Sequence, residues 1–221
     1  MNSFDTFRLN TLGVPLALVS TGLMLAIIAA YQIFYVVPLD YQMGVYVRWL
    51  FPHVAAAFSA GILFFILAFI SFKKFGSANT LLLLFFRAMA ACIVFLTLMT
   101  LLTGAIWAVP VWGDFWVWDA RSGFTVLFLV VCFGIYVGTT KVLNNPKLYF
   151  IYLLLVAVAA IVLFLSHQSP EWWNTMHQES RLSNFKFDGY APEYLKTIAF
   201  SLGAVLFISV GYILSSVRRR I

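Results

Sequence analysis

The chain has 221 residues, of which 63% are hydrophobic and 10% are charged, with a formal net charge of +6. A soluble domain carries about a quarter charged residues, so this composition excludes a soluble enzyme or a nucleic-acid-binding module. The apolar residues form continuous runs long enough to cross a bilayer as helices, and continuity without alternation excludes a β-barrel.

The spacing predicts an all-α membrane protein of one domain with six spans, at about residues 14–36, 49–72, 81–107, 124–143, 148–165 and 194–217. The first run contains Ala29 and Ala30, which resemble a signal-peptide cleavage site. It is too long for one and follows acidic Asp5, so it reads as a retained helix. A loop over 37–48 carries Asp40 and Arg48. The second run then opens with Pro52, well placed in a first helical turn, and His53. An imidazole just inside the membrane boundary is by default a functional-site candidate, the alternative being a histidine bonded to a neighbouring loop. The third run carries Arg87 near its start, from where it can snorkel to the interface, and holds Cys92 at mid-span; Cys132 sits likewise in the fourth. With no C-x-x-C or C-x-x-C-H, these cysteines read as apolar packing residues, which argues against a thiol oxidoreductase and against covalent haem on this chain.

Between the third and fourth runs, a loop over 108–123 holds Trp112-Gly113-Asp114-Phe115-Trp116-Val117-Trp118-Asp119, then Arg121. Extended, it would turn Trp112, Asp114, Trp116 and Trp118 to one side; as a helix, only Trp112 and Trp116 would align. Either way a ledge of indoles results, closed by the charges of Asp119 and Arg121. An interfacial anchor among lipid headgroups is the alternative. The fifth run ends at His167. A loop over 166–193 follows, containing Glu171-Trp172-Trp173-Asn174-Thr175-Met176-His177-Gln178. The sixth run ends at Arg218-Arg219-Arg220. The short inner connections and the lack of any Walker motif exclude ATP hydrolysis by this chain.

Six spans place both termini on one side. Arg8, Lys73, Lys74, Lys141, Lys147 and Arg218 to Arg220 gather there, and the positive-inside rule makes that side cytoplasmic. The other side receives every acid but Asp5, together with all seven tryptophans and all three histidines. Tryptophan belts ordinarily form at both interfaces, so this asymmetry points to a site on the outer face. Two imidazoles from separate elements beside an aromatic ledge suit iron porphyrin, whose iron accepts axial histidine. Its propionates need cations, and Arg48, Arg121, Arg181 and Lys186 are on the correct side. A closed zinc site is the competing metal reading, but it wants four tetrahedral ligands and would leave the indoles idle.

Three blocks carry a family resemblance: Asp40-Tyr41-Gln42 with Gly44, Arg48, His53-Val54 and Ala56; Trp112-Gly113 with Trp116, Trp118-Asp119-Ala120-Arg121; and Ser169 with Glu171-Trp172-Trp173-Asn174-Thr175 and His177-Gln178. They resemble the CcmC family, the haem-handling C components of cytochrome c maturation, within the wider WWD-domain group. Asp-Ala-Arg after the tryptophans favours this branch over larger relatives with Asp-Pro-Lys. Phe115 departs from the pattern, standing where many relatives have Trp.

The resemblance implies non-covalent binding of haem b, as cargo, on the outer face. His53 and His177 would be the axial ligands, and Trp112, Trp116, Trp118, Asp119, Arg121, Trp172 and Trp173 would surround the macrocycle. It implies delivery to a membrane-anchored haem chaperone (CcmE type), beside a small single-span subunit (CcmD type) and ABC transporter subunits (CcmA and CcmB type). The chain would be a handling factor rather than an enzyme by itself, one that can promote haem attachment to the chaperone. The implied setting is the bacterial inner (plasma) membrane with functional loops in the periplasm, the mitochondrial inner membrane being the second choice. A transmembrane b-type cytochrome would need a haem ligand near the inner side, where no histidine lies. A small-solute transporter would need polar groups near the midplane, where the spans are nearly free of them.

Overall fold

The structure, a computed structural model, describes residues 3–74, 79–177 and 191–219, with side chains from residue 13 onward. Helix α1 (Ser3–Tyr31) runs into a π-helical turn over Gln32–Val36. A 3-10 turn (Val45–Trp49) leads into α2 (Leu50–Lys73), followed by α3 (Thr80–Trp112), α4 (Ala120–Asn144), a 3-10 turn (Pro146–Leu148), α5 (Tyr149–Trp172) and α6 (Pro192–Arg218). All six helices are long and apolar enough to cross a membrane. In hydrocarbon every backbone polar group must be satisfied within its own segment, which is why continuous apolar runs become helices.

The core lies among α2, α3, α4 and α5, which pack in chain order, with α6 closing against α2 and α3 and α1 lying on α6. Phe64, Phe86, Ile135, Tyr152 and Val156 are buried at its centre. Several of the polar groups there find partners. Tyr149 donates its hydroxyl to the Ser71 carbonyl at 2.8 Å, and the Ser71 and Tyr152 hydroxyls lie 3.2 Å apart. Thr97 and Thr100 donate back to the carbonyls of Ile93 and Leu96 within α3.

These contacts fix the helix directions. The end of α2 meets the start of α5 at Ser71, while the start of α2 meets the last turns of α3 at His53. Tyr194, at the start of α6, donates to the Pro38 carbonyl just beyond α1. One end of the bundle therefore collects the loop after α1, the start of α2, the end of α3, the start of α4, the end of α5 and the start of α6. All seven tryptophans lie in these segments.

The helices extend further toward that end than hydropathy predicts. α3 continues from 107 through Trp112, and α4 begins at Ala120, so the expected loop over 108–123 shrinks to 113–119. α5 continues through Trp172, so its following loop starts at 173 rather than 166. The cause is local. Pro170 has no N–H for the Ser166 carbonyl, which instead accepts from the Ser169 hydroxyl at 2.8 Å, and the helix carries on. Of the residues named above, Gln178, Arg181, Lys186 and Arg220 lie outside the described residues.

Candidate haem-binding site

α3 ends at Gly113, whose positive φ (75°) lets its N–H bond the Val109 carbonyl at 2.9 Å and turn the chain out of the helix. The tryptophan segment therefore adopts neither of its two expected regular forms. Trp112 belongs to α3, and Trp116 and Trp118 pack edge to face in the turn, ring centres 5.3 Å apart. Trp118 is 71% exposed, whereas Trp116 is half-buried and its indole N–H is buried without a partner among the described residues. Such a donor suits an anionic or π-rich ligand.

Asp119 ends the segment and does two jobs with two oxygens. Oδ1 accepts the Ser122 backbone N–H at 2.9 Å while the Ser122 hydroxyl accepts the Asp119 N–H, a capping box that starts α4. Oδ2 accepts from His177 Nδ1 at 2.8 Å and from the Met176 N–H at 3.1 Å. Burial pushes the carboxyl up, but the Ser122 N–H and His177 outweigh it and hold Asp119 below its ordinary value. For His177, burial dominates and holds the imidazole below 6.5, although Asp119 pulls the other way. At neutral pH His177 is therefore neutral. The carboxylate fixes its proton on Nδ1 and leaves the Nε2 lone pair free. Trp112 packs edge-on against this ring at 4.5 Å.

His53 is held the same way by a different acceptor. Its Nδ1 lies 2.9 Å from the Thr100 carbonyl, which can only accept, so Nδ1 carries the proton and Nε2 is again the basic nitrogen. The ring reaches that carbonyl because residue 104, one turn on, is glycine. A Cβ there would stand 2.8 Å from His53 Cε1 and 2.9 Å from Nδ1. Trp107 flanks His53 at 5.7 Å and donates its indole N–H to Met43. Met43 is placed by a tight turn in which Asp40 Oδ1 accepts the N–H groups of Gln42 and Met43 and Gly44 takes φ +53°.

His53 and His177 both lie at this end of the bundle, the first held against α3 and the second against the start of α4. The fold thus brings His177, Trp112 and Asp119 into contact and sets His53 against α3 beside Trp107, with Arg121 in the first turn of α4 and Trp116 and Trp118 on the segment between α3 and α4. Trp172 and Trp173 instead pack on each other and on Phe164 and Phe124. His167 is exposed on α5. Among the described residues no three His, Cys, Asp or Glu side chains gather to hold a bare metal ion.

Sequence reasoning did not single out Gly104, the Thr100 carbonyl, Trp107 or Met43 as parts of the site. Gly104 carried a readable signal, because a glycine inside a helix costs about 1 kcal/mol relative to alanine and marks a close approach. A backbone carbonyl carries none.

The family described as heme exporter protein C matches this chain over residues 3–221. A ccmC-like mitochondrial protein of cytochrome c biosynthesis from Arabidopsis thaliana is 36% identical over 172 residues, 76% of this chain and 63% of that protein. Its counterpart from Marchantia polymorpha is 32% identical over 161 residues, 73% of this chain and 68% of that protein. Heme exporter protein C of Escherichia coli K12 is 29% identical over 185 residues, 83% and 74% of the two chains. The matched segment spans about two thirds of each of the two plant relatives.

Proposed function

The chain belongs to the heme exporter protein C family, a multi-pass membrane family of haem handling in cytochrome c biogenesis, and from that premise we propose that it grips haem b between His53 and His177 and passes it to a membrane-anchored haem chaperone. The observation that carries this reading is the matched locking of the two imidazoles. Each has Nδ1 committed to an oxygen acceptor, and each keeps Nε2 as a ligand nitrogen. Outer hydrogen bonds of this kind orient metal-binding histidines and raise their basicity.

Trp112, Trp116 and Trp118 cover the macrocycle, and the unpartnered Trp116 N–H and Arg121 meet its polar edge. Trp172 and Trp173 brace the α5 end from which the His177 segment departs. Haem supplies iron as the electrophile that the two nitrogens hold; the chain orients those nitrogens and screens one side with rings. A solvent-facing Trp118 leaves room for the chaperone to approach. The small single-span subunit and the ABC subunits of the maturation system complete the assembly. The setting is the bacterial inner membrane, with this end of the bundle in the periplasm and both termini in the cytoplasm.

The test is the visible spectrum of protein purified from haem-replete cells. The wild type shows a Soret band; His53→Ala and His177→Ala each lower or shift it, and His167→Ala does less. Unchanged haem content in both of the first two variants overturns the ligand assignment.

A further inference from the structure

Helix α2 presents different residues to two sides. His53 turns to α3, whereas Pro52 and Ala55 line a cavity of about 480 Å³ bounded by α1, α2 and α6. The cavity follows from how α1 meets α6. Deeper in the bundle the two touch through glycines. A Cβ on Gly22 would lie 2.7 Å from Ile208 Cγ1, and one on Gly211 would lie 2.7 Å from Val19 Cγ2 and 3.0 Å from the Pro15 carbonyl oxygen. Nearer the tryptophan-bearing end the lining residues are Ala26, Ala29 and Ala30 against Ser201 and Ala204, and small side chains leave the gap unfilled. The π-helical turn then swings Phe34 to the mouth, a distortion of the kind often found at functional sites.

Two polar groups of this cavity have spare capacity. Arg48 sits over the Phe34 ring at 5.2 Å and donates Nη2 to the Phe34 carbonyl at a long 3.4 Å, while its Nε is buried with no partner among the described residues. The buried Ser201 hydroxyl also lacks one. An apolar slot with a cation at its mouth is complementary to an anion that carries an apolar tail.

We propose that this cavity seats an anionic phospholipid from the leaflet on the tryptophan-bearing side, with an acyl chain in the alanine slot and its phosphate on Arg48. Ser201 is a second donor, of the kind an ester carbonyl accepts. Haem fits the slot less well, since no residue lining it offers imidazole, thiolate or thioether to iron, and α2 itself stands between the cavity and His53. Lipid has direct access, because the lining residues Phe34, Val45 and Trp49 are themselves exposed. The assignment rests on the membrane fold and does not depend on the haem ligands.

The full chain, solubilised in mild detergent, is offered phosphatidylglycerol or phosphatidylcholine, and retained lipid is read by native mass spectrometry. The wild type retains phosphatidylglycerol in preference to phosphatidylcholine. Arg48→Gln reduces that retention about fivefold, the scale of a single arginine at an anionic headgroup. Ala204→Phe, which fills the slot, abolishes retention and leaves the Soret band in place; Ala30→Phe, at the exposed mouth, does the same should the first variant fail to fold. Equal retention of the two lipids with no effect of Arg48→Gln overturns the proposal. So does a slot-filling variant that keeps its lipid, whether it loses haem (a porphyrin slot) or a co-purifying single-span chain (a helix slot).

Discussion

Asp119 is the residue on which two structures depend, and its two oxygens can be separated by substitution. Asn is as good a helix cap as Asp, so Asp119→Asn keeps α4 started through Oδ1. Its amide nitrogen, however, faces His177 Nδ1 as a donor. The imidazole then answers by accepting at Nδ1 and moving its proton to Nε2, where it blocks ligation. Haem affinity should fall on the order of 10- to 100-fold, the usual cost of losing such a supporting contact. Thermal stability and helix content should stay near the wild type. A haem titration that matches the wild type would show that the Asp119–His177 bond is not what prepares the ligand.

The same pair sets a pH dependence. The folded value of His177 lies below its ordinary 6.5, so the folded protein binds fewer protons here than the unfolded chain does. Neutral His177, and with it haem affinity, is fully present above 6.5 and is lost as pH falls through the depressed value. Asp119, also depressed, stays ionised through that window. Haem binding followed by absorbance should therefore be flat from neutral pH upward, with an acid limb beginning below 6.5. A limb centred above 6.5 would mean that His177 is not neutralised by burial as the geometry requires.

At the level of elements, α2 and α3 must approach closely for His53 to reach the Thr100 carbonyl. Gly104 sets that distance. Gly104→Ala adds a methyl group 2.8 Å from the imidazole, so either the ring rotates off its acceptor or the helices part. Alanine also favours the helix by about 1 kcal/mol, which makes the sign informative. The variant should hold or gain helix stability in detergent while losing haem about tenfold or more. Loss of both together would place Gly104 in general packing instead.

This contact also shows what a linear sequence conceals. The six helices were legible because continuous Leu, Ile, Val and Phe leave the chain no other way to satisfy its backbone in lipid. His53 and His177 were legible as ionisable groups beside tryptophans. The ends of α3 and α5 were not, because hydropathy fades at Trp112 and Trp172 while the helices do not, and because Ser169 repairs the break that Pro170 announces. Nor was the partner of His53, since any residue has a carbonyl and only the fold decides which one faces an imidazole. Asp119 read as a charge closing a ledge; its division between a helix cap and His177 appears only when α4 and the segment after α5 meet.

On the scale of the whole molecule, the tryptophan-bearing end has a fixed composition but a side of the membrane that only charge assigns. Lys73, Lys141, Lys147 and Arg218 belong to the opposite end of the bundle, and the positive-inside rule counts such residues beside span ends. The native cysteines, Cys92 and Cys132, are both buried, so they give little background to an impermeant thiol reagent. Asp114→Cys places a thiol in the exposed turn after Trp112, and Asn144→Cys places one at the far end of α4. In intact bacterial cells with a permeabilised outer membrane, the first should react with an impermeant maleimide. The second should react only after the inner membrane is opened. The opposite pattern would turn the bundle over. It would put the imidazoles and the indoles on the cytoplasmic side, where they could not load a chaperone in the periplasm, and the handover reading would fail even if every haem ligand were correct.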